Sequence, residues 1–178
     1  EKTEKSSQTV KNTSEKKESN ESTELLCVLR VRGAHGMRRT ILQTLHLLKL
    51  YRVNHVTVIQ SNPSVKGMLQ KAKDYIAFGP VSLDTLKKLL KKRALLTGNK
   101  PLSDAHIVNE TTFKSVEDLA KGLYEGKISF KEIKDLKPIF RLHPPIGGYK
   151  GSIKKAVNAG GVLGNVGEKI NDYVKKMI

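Results

Sequence analysis

Residues 25–80 change hydrophobic period from element to element, and few folds accept the resulting order. "LLCVLRVRG" alternates, with Cys27, Leu29 and Val31 on one side and Val28 beside Arg30 and Arg32 on the other. That is the period-two pattern of a half-buried strand. After Gly33 and Gly36, "MRRTILQTLHLLKL" sets Ile41, Leu45 and Leu48 at helical spacing. "VNHVTVIQ" is β-branched and returns to strand, while "NPSVKGMLQKAKDYI" opens on Asn-Pro and carries Val65, Met68, Leu69 and Ala72 in helical register. "YIAFG", closed by Gly79-Pro80, makes a third strand. The order predicts an α+β fold, a β-α-β-α-β core with two helices on one face of a three-stranded sheet.

Beyond this unit, Ser82 caps a helix that turns Leu83, Leu86, Leu89 and Leu90 inward and Lys87, Lys88, Lys91, Lys92 and Arg93 outward. The texture changes after Gly98. Ser115 with Asp118 and Ser129 with Glu132 form two capping boxes, each expected to open a short helix, the second stopped by Pro138. "PIFRL" reads as a strand, and a last amphipathic helix carries Ile170, Val174 and Met177 on one stripe. The expected organisation is a polar tail over 1–24, a core over 25–98 and an α-rich C-terminal extension with a basic Gly/Pro loop over 99–178. The tail mixes six Glu with five Lys and almost nothing apolar, so it cannot offset the entropy of ordering.

Charge narrows the function. Lys and Arg total 33 against 17 Asp and Glu, a formal net charge of +16. From Leu25 through Lys73 there are nine bases and no acid; from Leu136 through Gly167 there are five bases and no acid. Self-repulsion on that scale destabilises a compact chain, and a polyanion relieves it. No apolar run reaches the ~20 residues needed to span a bilayer, and the opening residues lack a signal peptide's apolar block. A soluble, intracellular chain is expected.

Catalytic and metal chemistry find little support. Cys27 lies on the apolar side of the first strand, where an inert buried thiol is expected. The histidines, at 35, 46, 55, 106 and 143, show no metal-binding spacing. "GGYKGSIKK" lacks the spacing of a phosphate-binding P-loop, and "GGVLGN" breaks the dinucleotide fingerprint and follows no strand pattern. No catalytic residue, metal or cofactor is expected. In "RLHPPIGGYKGSIKK", Pro144-Pro145 instead stiffens the entry, Gly147-Gly148 makes the bend, and Arg141, Lys150, Lys154 and Lys155 meet phosphates. "RGAHGMRRT" is a second such place. Arg38 and Arg39 oppose the dipole of the helix they open, which a phosphate would relieve; His35 and His55 lie in the same acid-free stretch.

"LRVRG", "LLKLYRVNH", "GMLQKAKDYIAFG" and "RLHPPIGGYKG…GGVLGN" together resemble ribosomal protein L-thirty of the large subunit in its long archaeal form, L-seven in eukaryotes. The resemblance runs from Leu25 to the C-terminus and leaves the tail unmatched. It implies a somewhat ferredoxin-like, mainly antiparallel three-stranded core with a C-terminal extension. It further implies a non-catalytic constituent of the cytoplasmic large subunit that binds 23S-type ribosomal RNA, helps to seat 5S RNA and touches neighbouring ribosomal proteins. On the matching positions, Arg30, Arg32 and Gly33, the turn from Arg52 through Asn54 to His55, and the loop from His143 through Gly147, Gly148 and Tyr149 to Lys150 should face RNA. Two other readings compete: a small ferredoxin-like phosphohydrolase holding phosphate with Arg38 and Asn54, and an anionic-membrane binder using "LDTLKKLLKKRALL".

Overall fold

The computed structural model describes residues 24–178 apart from Thr112 and Lys131, so the tail expected over 1–24 lies outside the described residues except for Glu24. Strand β1 (Leu25–Arg30) sits between β2 (His55–Gln60) and β3 (Ile76–Pro80), antiparallel to both. Helices α1 (Arg39–Leu47) and α2 (Pro63–Ala72) cover one face of this trio, as the order of elements predicts. Leu26 and Val28 pack there against Leu45, Leu48, Leu69 and Ala72.

The half-buried reading of the first strand needs correction: every residue of β1 is buried, Arg30 included. The reason is what covers the second face. Leu25, Cys27, Leu29 and Val31 pack into a core shared with α3 (Leu83–Arg93), α4 (Asp104–Glu110), α5 (Val116–Tyr124) and α6 (Lys169–Met177). One continuous cluster thus runs from β1 through the extension. The boundary expected near residue 98 is crossed by backbone bridges from Leu95 to Pro101 and from Leu96 to Leu136.

Alongside its helices, the extension supplies three strands, β4 (Phe140–Arg141), β5 (Ser152–Ala156) and β6 (Gly161–Asn165), which enlarge the sheet to the order β4-β2-β1-β3-β6-β5. "GGVLGN", expected to have no strand before it, follows β5 and is itself β6, parallel to β3, with Val162 and Leu163 buried. Alternation was hidden because three of the six residues are glycines, one of them, Gly161, placed where another backbone comes close. A Cβ on Gly161 would overlap the Lys155 carbonyl, and one on Gly79 would overlap the carbonyl of Gly167.

The expected helix caps divide. Ser82 accepts from the Thr85 amide at 3.4 Å and Ser115 from the Asp118 amide at 3.2 Å, opening α3 and α5. At the other box the Ser129 amide does donate to Glu132 at 3.3 Å, yet turns follow instead of a helix. Asp135 adopts a positive φ of 62° and Pro138 follows, which leaves too few residues to repay helix nucleation. Helix α4 carries no periodic signal in sequence; it is anchored by Ile107 and by the Asp104 carboxylate, which accepts from the Val116 amide at 3.1 Å.

Candidate nucleic-acid interface

The strand registers place both acid-free stretches at one end of the sheet. Arg30 pairs with Ile76 and Leu29 with Val56, so the C-terminal end of β1 lies beside the N-terminal ends of β2 and β3. His55 pairs with Arg141, which brings the C-terminal end of β4 to the same place. Because β6 is parallel to β3 and β5 to β6, Gly161 and Ser152 start there too. This end spans six strands, roughly 24 Å at ~4.8 Å per spacing. Along it stand Arg141 and His143, then Arg52 and His55, then Arg32 and Gly33, and finally the stretch from Lys150 to Lys155.

Arg32 is held in place without an acid: it donates to the Asp74 carbonyl at 3.3 Å and its guanidinium lies 5.0 Å from the Tyr75 ring centre. Asn54 takes a positive φ of 63°, its amide donating to the Arg30 carbonyl and its carbonyl accepting from Leu142 at 3.1 Å. That irregularity, which Asn tolerates better than most residues, turns Arg52 and Val53 outward and ties β4 to β2. His55 accepts from the Arg52 amide at Nδ1, 3.4 Å. Its pKa lies below the usual histidine value because it is partly desolvated and because Arg141, Arg52 and Arg30 repel an added proton.

Arg30 sits differently from the expectation that it faces RNA. It is 1% exposed. Its Nε donates to the Arg32 carbonyl at 3.0 Å and its Nη1 to the carbonyls of Leu50 and Tyr51, each at 2.8 Å. Burial depresses its pKa, and carbonyl dipoles are what compensate its charge. Its role in the fold is to fix the loop that presents Arg52.

The Gly/Pro loop is docked, not free. The His143 amide donates to the Met177 carbonyl and that of Ile146 to Lys176, both at 3.2 Å. Tyr149 is half-buried, edge-on to Tyr173 at 5.5 Å with its hydroxyl 3.9 Å from the Met177 sulfur, and burial pushes its pKa up to about 12. Tyr149 thus anchors the loop, while Gly147 and Gly148, at φ 76° and 71°, form the exposed bend. Lys154 and Lys155 project from β5, an edge strand with all five residues exposed. Arg38 and Arg39 are exposed at the start of α1, which has no side-chain cap and no acid in its first turn, so its leading amides are open to an anion. His35 is exposed in the loop before it.

Among the described residues the ion pairs are Lys121 with Asp118 and Lys127 with Glu125, both far along the chain from these bases. Four further cations join them: Lys49 and Lys137 border the same shallow cleft as His55 and Arg141, and Lys169 and Lys176, together with Asp172, border that of Lys150. The first two belong to the acid-free stretches, and only their folded proximity singles them out. The leucines of the supposed membrane-binding helix, Leu86, Leu89 and Leu90, are fully buried, so its apolar face is core.

The family described as ribosomal protein L30p/L7e matches residues 26–76, from β1 to the start of β3. Over most of its length the chain is similar to proteins named large ribosomal subunit protein uL30. It is 45% identical to that of Thermoplasma acidophilum over 154 residues, 86% of this chain and 93% of the relative. It is 46% identical to that of Methanopyrus kandleri over 149 residues, 83% and 100% of the two chains, and 41% identical to that of Methanocorpusculum labreanum over 153 residues, 86% and 99%. These are names of ribosomal proteins, not of enzymes. With relatives of 41–46% identity matched almost end to end, the chain belongs to the ribosomal protein L30p/L7e family.

Proposed function

We propose that the chain is a structural constituent of the large ribosomal subunit in the cytoplasm, binding 23S-type ribosomal RNA along the basic end of its sheet and helping to seat 5S RNA. The observation that carries this reading is the convergence of two acid-free stretches, distant in sequence, on one line of strand ends. Arg32, Arg52, His55, Arg141, Lys150, Lys154 and Lys155 supply the charge, Arg38 and Arg39 a second anion site, and Gly147-Gly148 a close approach of backbone to ribose and phosphate. Arg30 and Tyr149 act behind this surface, as positioning residues. Neighbouring ribosomal proteins cover other faces of the chain.

Titration of the full chain with 23S-type RNA over a salt series tests the proposal. About ten neutralised phosphates give log K against log[salt] a slope near −7 to −9, and a slope shallower than about −3 would overturn it. Exchanging Lys154 and Lys155 together for Glu should flatten the slope by roughly 1.5 without changing stability, since both are exposed on an edge strand. Retention of 5S RNA by subunits assembled with and without the chain tests the seating role, and equal retention would remove it.

A further inference from the structure

The sheet has a second open feature, along β2 beyond β4 and adjoining the basic end at Lys49. The Ser61 amide donates to Glu24 and that of Val81 to Leu25, which fixes how the strand amides alternate. Residues 55, 57 and 59 of β2 face β1, and residues 56, 58 and 60 face outward. Val56 is paired with Phe140 of β4. The next rung would join Val58 to residue 138, and that residue is Pro138, which has no N–H. Strand β4 therefore stops after two residues, and among the described residues the N–H and C=O of Val58 and the N–H of Gln60 have no backbone partner.

These groups form the floor of a groove whose walls are apolar: Leu47, Val65 and Met68 on one side, Leu123, Ile128 and Phe130 on the other. Leu47 is 72% exposed. Unpaired strand backbone between apolar walls is a template for another strand, and folded proteins ordinarily cover such edges. Among the described residues Lys49 is the one ionisable side chain lining the groove, so its charge calls for an acid on the occupant.

We propose that this slot receives an extended segment of another protein, added to β2 as a strand beyond β4, with apolar residues alternating toward the two walls and a carboxylate near Lys49. RNA is a poor match for apolar walls with a single base. The chain's own residues 1–23 are no better, having Val10 as their one aliphatic side chain. That the donor is a protein of the same particle rests on the ribosomal reading above.

The test incorporates the full chain, with photoreactive p-benzoylphenylalanine in place of Leu47, into large subunits and sequences the crosslinked peptide. In parallel, amide exchange of residues 56–61 is compared between the free chain and the subunit. The expected result is a crosslink to an extended, acid-containing segment of one neighbouring protein, with exchange at Val58 and Gln60 slowed at least about tenfold on assembly. Crosslinks confined to RNA, to residues 1–23 or to a second copy, or unchanged exchange in incorporated chain, would overturn the slot while leaving the ribosomal reading intact. Failure of the unsubstituted chain to incorporate would overturn that reading, and the slot's proposed donor with it.

Discussion

Replacing Arg30 by Met separates fold from contact at the basic surface. The native guanidinium makes three hydrogen bonds to carbonyls at 2.8–3.0 Å. With a charged donor each is worth about 1.5–3 kcal/mol, a gross loss of roughly 4–9 kcal/mol. Two terms oppose it. Methionine fills similar volume without the desolvation of a charge that has no acid beside it, and the Arg32 and Tyr51 carbonyls, being partly exposed, regain water. The Leu50 carbonyl stays buried without a donor, at a cost of about 1–3 kcal/mol. A net destabilisation of about 2–4 kcal/mol follows, a large share of the roughly 5–15 kcal/mol typical of a domain. Urea unfolding should show it as a lowered midpoint at unchanged m. RNA titration of the folded variant supplies the second readout. Loss of the support beneath Arg52 weakens binding, but the salt slope stays at the native value because no phosphate contact is removed. Arg52→Ala does the reverse, leaving stability nearly unchanged and flattening the slope by about 0.7–0.9. If Arg30→Met kept native stability and flattened the slope by that amount, Arg30 would be touching phosphate and the structural argument would fail.

Four other outcomes are expected. Gly79→Ala forces a methyl against the Gly167 carbonyl where β3 meets β6, and should lower stability by about 2–4 kcal/mol in denaturant unfolding. His55 titrates below the unfolded histidine value, so the unfolded chain binds more protons between its two pKa values. Stability contributed by neutral His55 is present above about pH 6.5, declines as pH falls through that window, and this part of the decline should vanish in His55→Gln. RNA binding should conversely take up a proton at mildly acidic pH, measurable by titration calorimetry in buffers of different ionisation enthalpy. Cys27 is fully buried with its pKa pushed up to about 12, so a thiol reagent at neutral pH should label it only at the rate of unfolding, and rapid labelling of folded chain would contradict its placement.

The local sequence determined what is local in physics. Periods of two and 3.6 marked β1 to β3 and α1 to α3, because side chains repeat along a strand or helix with the period of its own backbone, whatever distant element later covers them. Ser82 and Ser115 announced their helices, since a cap is satisfied within three residues. The acid-free stretches announced an anionic partner, since a run of like charge without acids cannot neutralise itself. Tertiary structure decided the rest. β5 was illegible because all five of its residues are exposed and none marks a buried side, and β6 because glycine at 161, required by the close approach of the Lys155 carbonyl, leaves only Val162 and Leu163 as buried apolar residues. The fate of Arg30 was equally hidden: an arginine at a strand end reads as a surface charge until the carbonyls of Leu50 and Tyr51, some twenty residues away, fold around it. The sharing of one end of the sheet by Arg141, Arg52 and Lys155 depends on strand order and direction, which are set by long-range pairing energies that no short window of residues contains.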